Sequence, residues 1–154
     1  MPDPQITILY VDDEVNNLLS FKATFRLKYK VLTALSGDEA LKLMDEKEVQ
    51  VIITDQRMPN MTGVEFLERV LGKHPDPARI LLTGYADMGA VVDAVNKGKI
   101  FQYLAKPWNE EELDQAIQSA YKAYNAKKEL KHMNEKLIDS NGQLEFLLRQ
   151  KLLS

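Results

Sequence analysis

The chain has no cysteine, which excludes disulfides and thiolate metal sites and fits a reducing compartment. Histidine is nearly as scarce. His74 and His132 lie far apart without metal-ligand companions, and both read as surface residues. Long apolar runs are missing too: no window approaches the roughly 18 consecutive apolar residues of a membrane span. The opening "MPDPQ" lacks the basic-then-apolar order of a secretory signal, so the expectation is a soluble, cytoplasmic protein with no membrane contact. A large excess of charge of one sign is also absent. A formal charge of −3 over 154 residues gives no general attraction to nucleic acid, and with no local basic patch, no direct nucleic acid contact is expected.

With 45% hydrophobic and 28% charged residues, the chain can bury one full-sized core and hardly two, which implies one domain plus an appendage. From residue 5 to about 125, short β-rich runs alternate with amphipathic helical patterns, the signature of a parallel sheet with crossover helices. Strands are expected at Gln5–Val11, in "YKVLTA", in "VQVIITD", in "ARILLTG" and in "FQYLAKP", the last ended by Pro107. Helices are expected from Val15 to Leu27, with Leu18, Leu19, Phe21 and Phe25 on the buried face, and after Ser36, where Glu39 completes a capping-box signal. Others follow over Gly63–Lys73, over "MGAVVDAVNKG", and from the N-cap candidate Asn109 with its three following glutamates. The fold class is therefore α/β, a doubly wound five-stranded parallel sheet with an extended C-terminal helix; the order taken for it is 2-1-3-4-5, flavodoxin-like.

In such sheets ligands sit beyond the C-terminal strand ends, where the strand order reverses. Asp12, Asp13 and Glu14 stand at the end of strand one, Asp55 at the end of strand three, Thr83 at the end of strand four and Lys106 just after strand five. Strands one and three are neighbours in this order, so Asp12, Asp13 and Asp55 converge. Ionised together, they need a cation. An all-oxygen donor set selects Mg²⁺ or Mn²⁺ over zinc, and Lys106 adds a positive point charge. Metal and ammonium together suit phosphoryl transfer, with Asp55 as a nucleophile that needs no general base and Thr83 as a hydroxyl donor.

Each residue alone has an ordinary explanation: a helix cap, a strand threonine, a solvated lysine. Five suitable residues on one rim are harder to explain so. They also carry a resemblance to a family. "YVDDE", "TDQRMPNMTGVEFL" with its Asp-x-x-Met-Pro-x-x-x-Gly spacing, "LLTGYAD" and "YLAKPW" resemble, in order, the motifs of receiver domains of two-component response regulators. The resemblance covers residues 5 to about 125. It implies Asp55 as phosphoacceptor, with Asp13, Asp55 and the Arg57 backbone carbonyl as direct Mg²⁺ ligands and Asp12 holding the metal through water. It further implies Lys106 paired with the phosphoryl group, a cis bond between Lys106 and Pro107, Thr83 as switch hydroxyl and Tyr103 as switch aromatic. The signalling surface would be the fourth helix, strand five and the fifth helix, and the phosphoryl donor a sensor histidine kinase or phosphotransfer protein. Activity would be limited to self-directed phosphotransfer and autodephosphorylation.

Arg57 and Tyr85 border the expected site, and alanine at either is expected to change the lifetime of the phosphorylated state. "GYAD" and "KPW" are similar to receivers preceding phosphohydrolase, cyclase or kinase modules more than to those preceding DNA-binding domains. Trp108 is expected to pack against the last helix, with a partner contact as the alternative. A phosphatase of the haloacid dehalogenase type would also use a strand-end aspartate, but Arg57 stands where its second aspartate belongs. A nucleotide-binding module would want glycine or hydroxyl residues after strand one, where this chain has "DDEVNN". A receiver acting mainly as a dimerisation module is a third reading.

Residues 1–125 are thus read as the receiver domain and 126–154 as a helical extension: a stalk, a coiled coil, or a linker to an output domain absent from this chain. Leu130, Leu137 and Leu144 recur at seven-residue spacing with Met133 and Leu147 in a second set. Ser140, Lys151 and Asn141-Gly142 interrupt the pattern. A homodimer could form through this helix or through the face made by the fourth helix, strand five and fifth helix. The uncovered apolar residues of "LLRQKLLS" fit a chain that continues.

Overall fold

The computed structural model describes residues 5–84 and 88–153. Alternation within the strands decides which helices cover which face of the sheet. In β1 (Thr7–Val11), Ile8 and Tyr10 join a core with Phe21 and Phe25 of α1 (Val15–Phe25) and with Leu113, Ile117 and Ala120 of α5 (Glu110–Leu153). Leu9 and Val11 join the opposite core, with Ala40 and Met44 of α2 (Gly37–Glu46), Phe66, Leu67 and Val70 of α3 (Gly63–Lys73) and Val91 and Ala94 of α4 (Met88–Asn96). β2 (Lys30–Ala34), β3 (Val51–Asp55), β4 (Ala78–Thr83) and β5 (Gln102–Ala105) complete a parallel sheet of order β2-β1-β3-β4-β5. Every residue of β1 and β3 is buried, as two-faced coverage requires.

The helix starts follow local chemistry. Ser36 Oγ accepts from Glu39 N at 3.1 Å, and the Glu39 carboxylate reaches back to Leu35 N, one residue before the cap, at 2.9 Å. Asn109 Oδ1 accepts from Glu112 N at 3.2 Å at the start of α5. α4 is followed by Gly98 at φ +73°, a left-handed position that suits glycine.

Three expectations change. Gln5 lies outside β1, and α1 ends at Phe25 rather than Leu27. Leu19 is 60% exposed, because the stripe of α1 that meets the sheet is narrower than its apolar content and takes only Leu18, Phe21 and Phe25. The extended C-terminal helix is as expected: α5 is helical through Leu153, with Asn141 and Gly142 inside it. Trp108 is half-buried and lies against α1, its ring centroid 6.2 Å from Phe21 and 5.8 Å from Phe25.

Contacts divide the chain into Met1–Tyr124 and Asn125–Ser154. In the second unit Leu130, Met133, Leu137, Leu144 and Leu147 are all exposed. Among the described residues, no helix is long and apolar enough to cross a membrane.

Candidate functional site

β1 and β3 are adjacent and parallel, with Val11 opposite Thr54, so their C-terminal ends deliver acids to one place. Oxygen atoms of Asp12, Asp13 and Asp55 lie within 4.8 Å of one another. Asp12 is fully buried, Asp55 nearly so, and Asp13 is exposed. Lys106, placed by the end of β5, puts Nζ 2.9 Å from Asp55 Oδ1 and 4.0 Å from Asp12 Oδ2. The Lys106–Pro107 bond is cis. At an effective dielectric constant of about 20, two carboxylates 4.8 Å apart repel by about 3.5 kcal/mol, so one ammonium among three acids leaves a strong demand for further positive charge. The all-oxygen donor set fits a hard divalent cation.

Burial holds the Asp55 carboxyl above its ordinary pKa. The hydrogen bond and charge of Lys106 and the Gln56 N–H pull it down, and Asp12 pushes it further up. Gln56 N donates to Asp55 Oδ1 at 2.9 Å, the same oxygen that Lys106 approaches.

The loop after β3 explains the spacing of its motif. Gly63 N donates to the Gln56 carbonyl at 2.9 Å and Val64 N to Gln56 Oε1 at 2.9 Å, so the start of α3 is tied to the residue beside Asp55. A Cβ at Gly63 would stand 2.4 Å from the Asp55 carbonyl oxygen and 2.7 Å from Leu81 Cδ1, which reserves the position for glycine. Asn60, at φ +70°, turns the loop back in a left-handed conformation that asparagine tolerates.

These motifs now stand in one folded arrangement, and the family described as "Response regulator receiver domain" matches residues 8–118. The chain belongs to the response regulator receiver domain family. Among curated relatives it is 37% identical over 154 residues to the hydrogenase transcriptional regulatory protein HoxA of Cupriavidus necator, covering all of this chain and 32% of that protein. It is 33% identical over 134 residues to the regulatory protein AtoC of Escherichia coli, covering 86% of this chain and 29% of that protein. The chain therefore spans about a third of the length of the curated relatives it matches. Among solved structures, a receiver domain protein from Clostridium thermocellum aligns with TM-score 0.73 at 35% identity, covering 81% of this chain and 98% of that one. A structure described as adenylate cyclase from Rhodopirellula baltica aligns with TM-score 0.84 at 30% identity, covering 86% and 99%.

Membership makes this a receiver for phosphorylation-dependent signalling, a class that is generally non-enzymatic, binds Mg²⁺ in its acidic pocket and interacts with a histidine kinase or phosphotransfer partner.

Thr83 is buried at the end of β4, and its hydroxyl donates to the Gly84 carbonyl at 2.7 Å rather than to Asp55. Tyr103, on β5, is 37% exposed. The Arg57 side chain is exposed beside the buried Gln56. Tyr85 lies outside the described residues. Reasoning from sequence missed two neighbours of Asp12. Tyr10 Oη donates to Asp12 Oδ2 at 3.1 Å, and Asn17 Nδ2 donates to the same oxygen at 3.1 Å. Burial, then the Asp12 charge and the hydrogen bond to it, push the Tyr10 phenol far above its ordinary pKa. The period-two pattern of "TILYV" could have flagged Tyr10, two residues before Asp12.

Proposed function

We propose that this receiver takes a phosphoryl group onto the Asp55 side chain. The observation that carries the reading is Lys106 Nζ at 2.9 Å from an Asp55 carboxylate grouped with Asp12 and Asp13 within 4.8 Å. A carboxylate oxygen attacks phosphorus of a phosphohistidine, the N–P bond breaks, its electron pair stays on the imidazole nitrogen, and an acyl phosphate forms. Lys106 meets the negative oxygens of the incoming group. Asp12, Asp13, Asp55 and the Arg57 carbonyl would hold Mg²⁺, which when bound supplies charge neutralisation at the phosphoryl oxygens.

Thr83 is the switch hydroxyl: it leaves the Gly84 carbonyl for the new phosphoryl oxygen, and Tyr103 moves from its half-open position into the space vacated. That shift biases the face formed by α4, β5 and α5. Residues 1–125 act as the receiver domain, and residues 126–154 are a helical stalk that carries the bias to a partner or output module, with a second copy of the chain as its expected companion. Supporting the stalk are Leu130, Leu137 and Leu144 at heptad spacing, exposed at 57–70%.

Incubation with a small phosphodonor tests the site. Stoichiometric, Mg²⁺-dependent labelling that disappears in Asp55→Asn is expected. Catalytic turnover of a phosphomonoester would favour a phosphatase instead. Sedimentation with and without beryllofluoride separates phosphorylation-controlled association from constitutive dimerisation.

A further inference from the structure

We infer that Tyr10 and Asn17 are positioning residues that preset the Asp12 carboxylate for the divalent cation, an inference that rests on reading Asp12, Asp13 and Asp55 as the cation site. Asp12 is fully buried and stands at the mouth of β1, where an unrestrained carboxylate could turn toward Lys106, 4.0 Å away. Three donors fix it. Glu14 N donates to Oδ1 at 3.0 Å, while Tyr10 Oη and Asn17 Nδ2 both donate to Oδ2 at 3.1 Å. Oδ1 is thus held by the backbone and Oδ2 by two side chains.

The Tyr10 hydroxyl is itself held. Its ring is fully buried and stacks on Phe21 at a centroid distance of 4.2 Å and an interplanar angle of 8°. A phenol serving only to fill the core would meet the same packing as phenylalanine. Here the one polar atom of the side chain points at a candidate cation acid from two residues upstream on the same strand face. Asn17 reaches the same oxygen from the first turn of α1, and also donates to Glu14 Oε2 at 3.3 Å. Asp12 is read as holding the metal through water, and donors that orient groups around the metal from outside are the usual means by which a protein tunes such a site; removing one costs about 10- to 100-fold in affinity or activity.

The test measures half-saturating Mg²⁺ from the rise of the thermal unfolding midpoint in the full chain, together with the midpoint in chelator, for wild type, Tyr10→Phe, Asn17→Ala and Asp12→Asn. Tyr10→Phe keeps the ring on Phe21. About a tenfold increase in half-saturating Mg²⁺ in both Tyr10→Phe and Asn17→Ala, with the limiting rate of phosphodonor labelling restored at high Mg²⁺, is expected. Half-saturation unchanged or tighter in those two variants, while Asp12→Asn weakens binding, overturns this inference and leaves the site reading intact. Unchanged half-saturation in all three overturns the site reading itself. If Tyr10→Phe does not fold, Asn17→Ala, at the rim of the site, decides the outcome alone.

Discussion

Replacing Asp55 by asparagine should make the metal-free protein more stable at neutral pH, although it deletes the ion pair with Lys106. At an effective dielectric constant of about 20, the 2.9 Å contact is worth about 5.7 kcal/mol of attraction. Repulsion from Asp12, whose oxygen lies within 4.8 Å, returns at least about 3.5 kcal/mol. Lys106 is 31% exposed, so water weakens its share further. What remains, about 2 kcal/mol at most, is smaller than the several kcal/mol needed to take a carboxylate out of water. That balance agrees with burial holding the Asp55 carboxyl above its ordinary value of 3.8. Asparagine should therefore add about 1–3 kcal/mol, or roughly 4–10 °C in unfolding midpoint.

The pH dependence follows from the raised pKa. A neutral Asp55 favours the folded state below the unfolded value, and that contribution is lost as pH rises through the higher folded value. Wild type and Asp55→Asn should therefore nearly coincide below pH 4 and separate as pH rises to 7. Thermal or urea unfolding in chelator across that range measures the gap. A metal-free wild type as stable as the variant at pH 7, or more so, would refute the reasoning. Saturating Mg²⁺ should close or invert the gap, since an ion present at 100 times its Kd adds about 2.7 kcal/mol to the protein that binds it.

Gly63→Ala should destabilise by about 1–3 kcal/mol and slow Asp55 labelling about tenfold or more, because the new methyl must displace the Asp55 backbone; normal labelling kinetics would show that the approach of α3 to the loop is not required. At the far end of the sheet, Lys28 Nζ lies 2.7 Å from Asp114 Oδ2 and Tyr29 donates to the same carboxylate, anchoring α5. Burial opposes ionisation of Asp114, but the bonds from Lys28 and Tyr29 win and its pKa is lowered, so the anchor stabilises above the unfolded carboxylate pKa and is lost as pH falls through the folded one. Asp114→Asn should cost about 1 kcal/mol or less at pH 7, since Lys28 is 62% exposed, and nothing near pH 2, as urea unfolding at the two pH values would register. Truncation after Asn125 should leave labelling intact and weaken self-association, measured by sedimentation; undiminished dimerisation would move the interface onto residues 1–125.

The parallel sheet was legible because hydrophobic continuity marks strands buried on both faces, and β3 is an unbroken example. The three acids and Lys106 were legible because a doubly wound sheet brings the ends of β1, β3 and β5 to one rim whatever the side-chain details. The support around those acids was less so. Tyr10 shares a strand face with Asp12 in "TILYVD", but its apolar neighbours mark it as core, and the reach of its hydroxyl to Asp12 depends on how the ring stacks on Phe21. Nothing in the sequence singles out Gln56, yet its backbone and side chain both hold the start of α3. Nor does the sequence single out Arg79 within "ARILLTG". Its guanidinium is buried and donates to the carbonyls of Pro75, Pro77, Gly98 and Lys99, stapling the start of β4 to the turn after α4. Leu19 failed because periodicity reports how apolar a face is, not how wide the neighbouring surface is.

The most direct measurement is to phosphorylate the protein, reduce the acyl phosphate with borohydride and locate the modified side chain by peptide mass spectrometry. The modification is expected on Asp55 alone, in Mg²⁺ and not in chelator. Modification of Asp12 or Asp13 in its place, or of none of the three after full exposure to donor and metal, would contradict the assignment of Asp55 as phosphoacceptor.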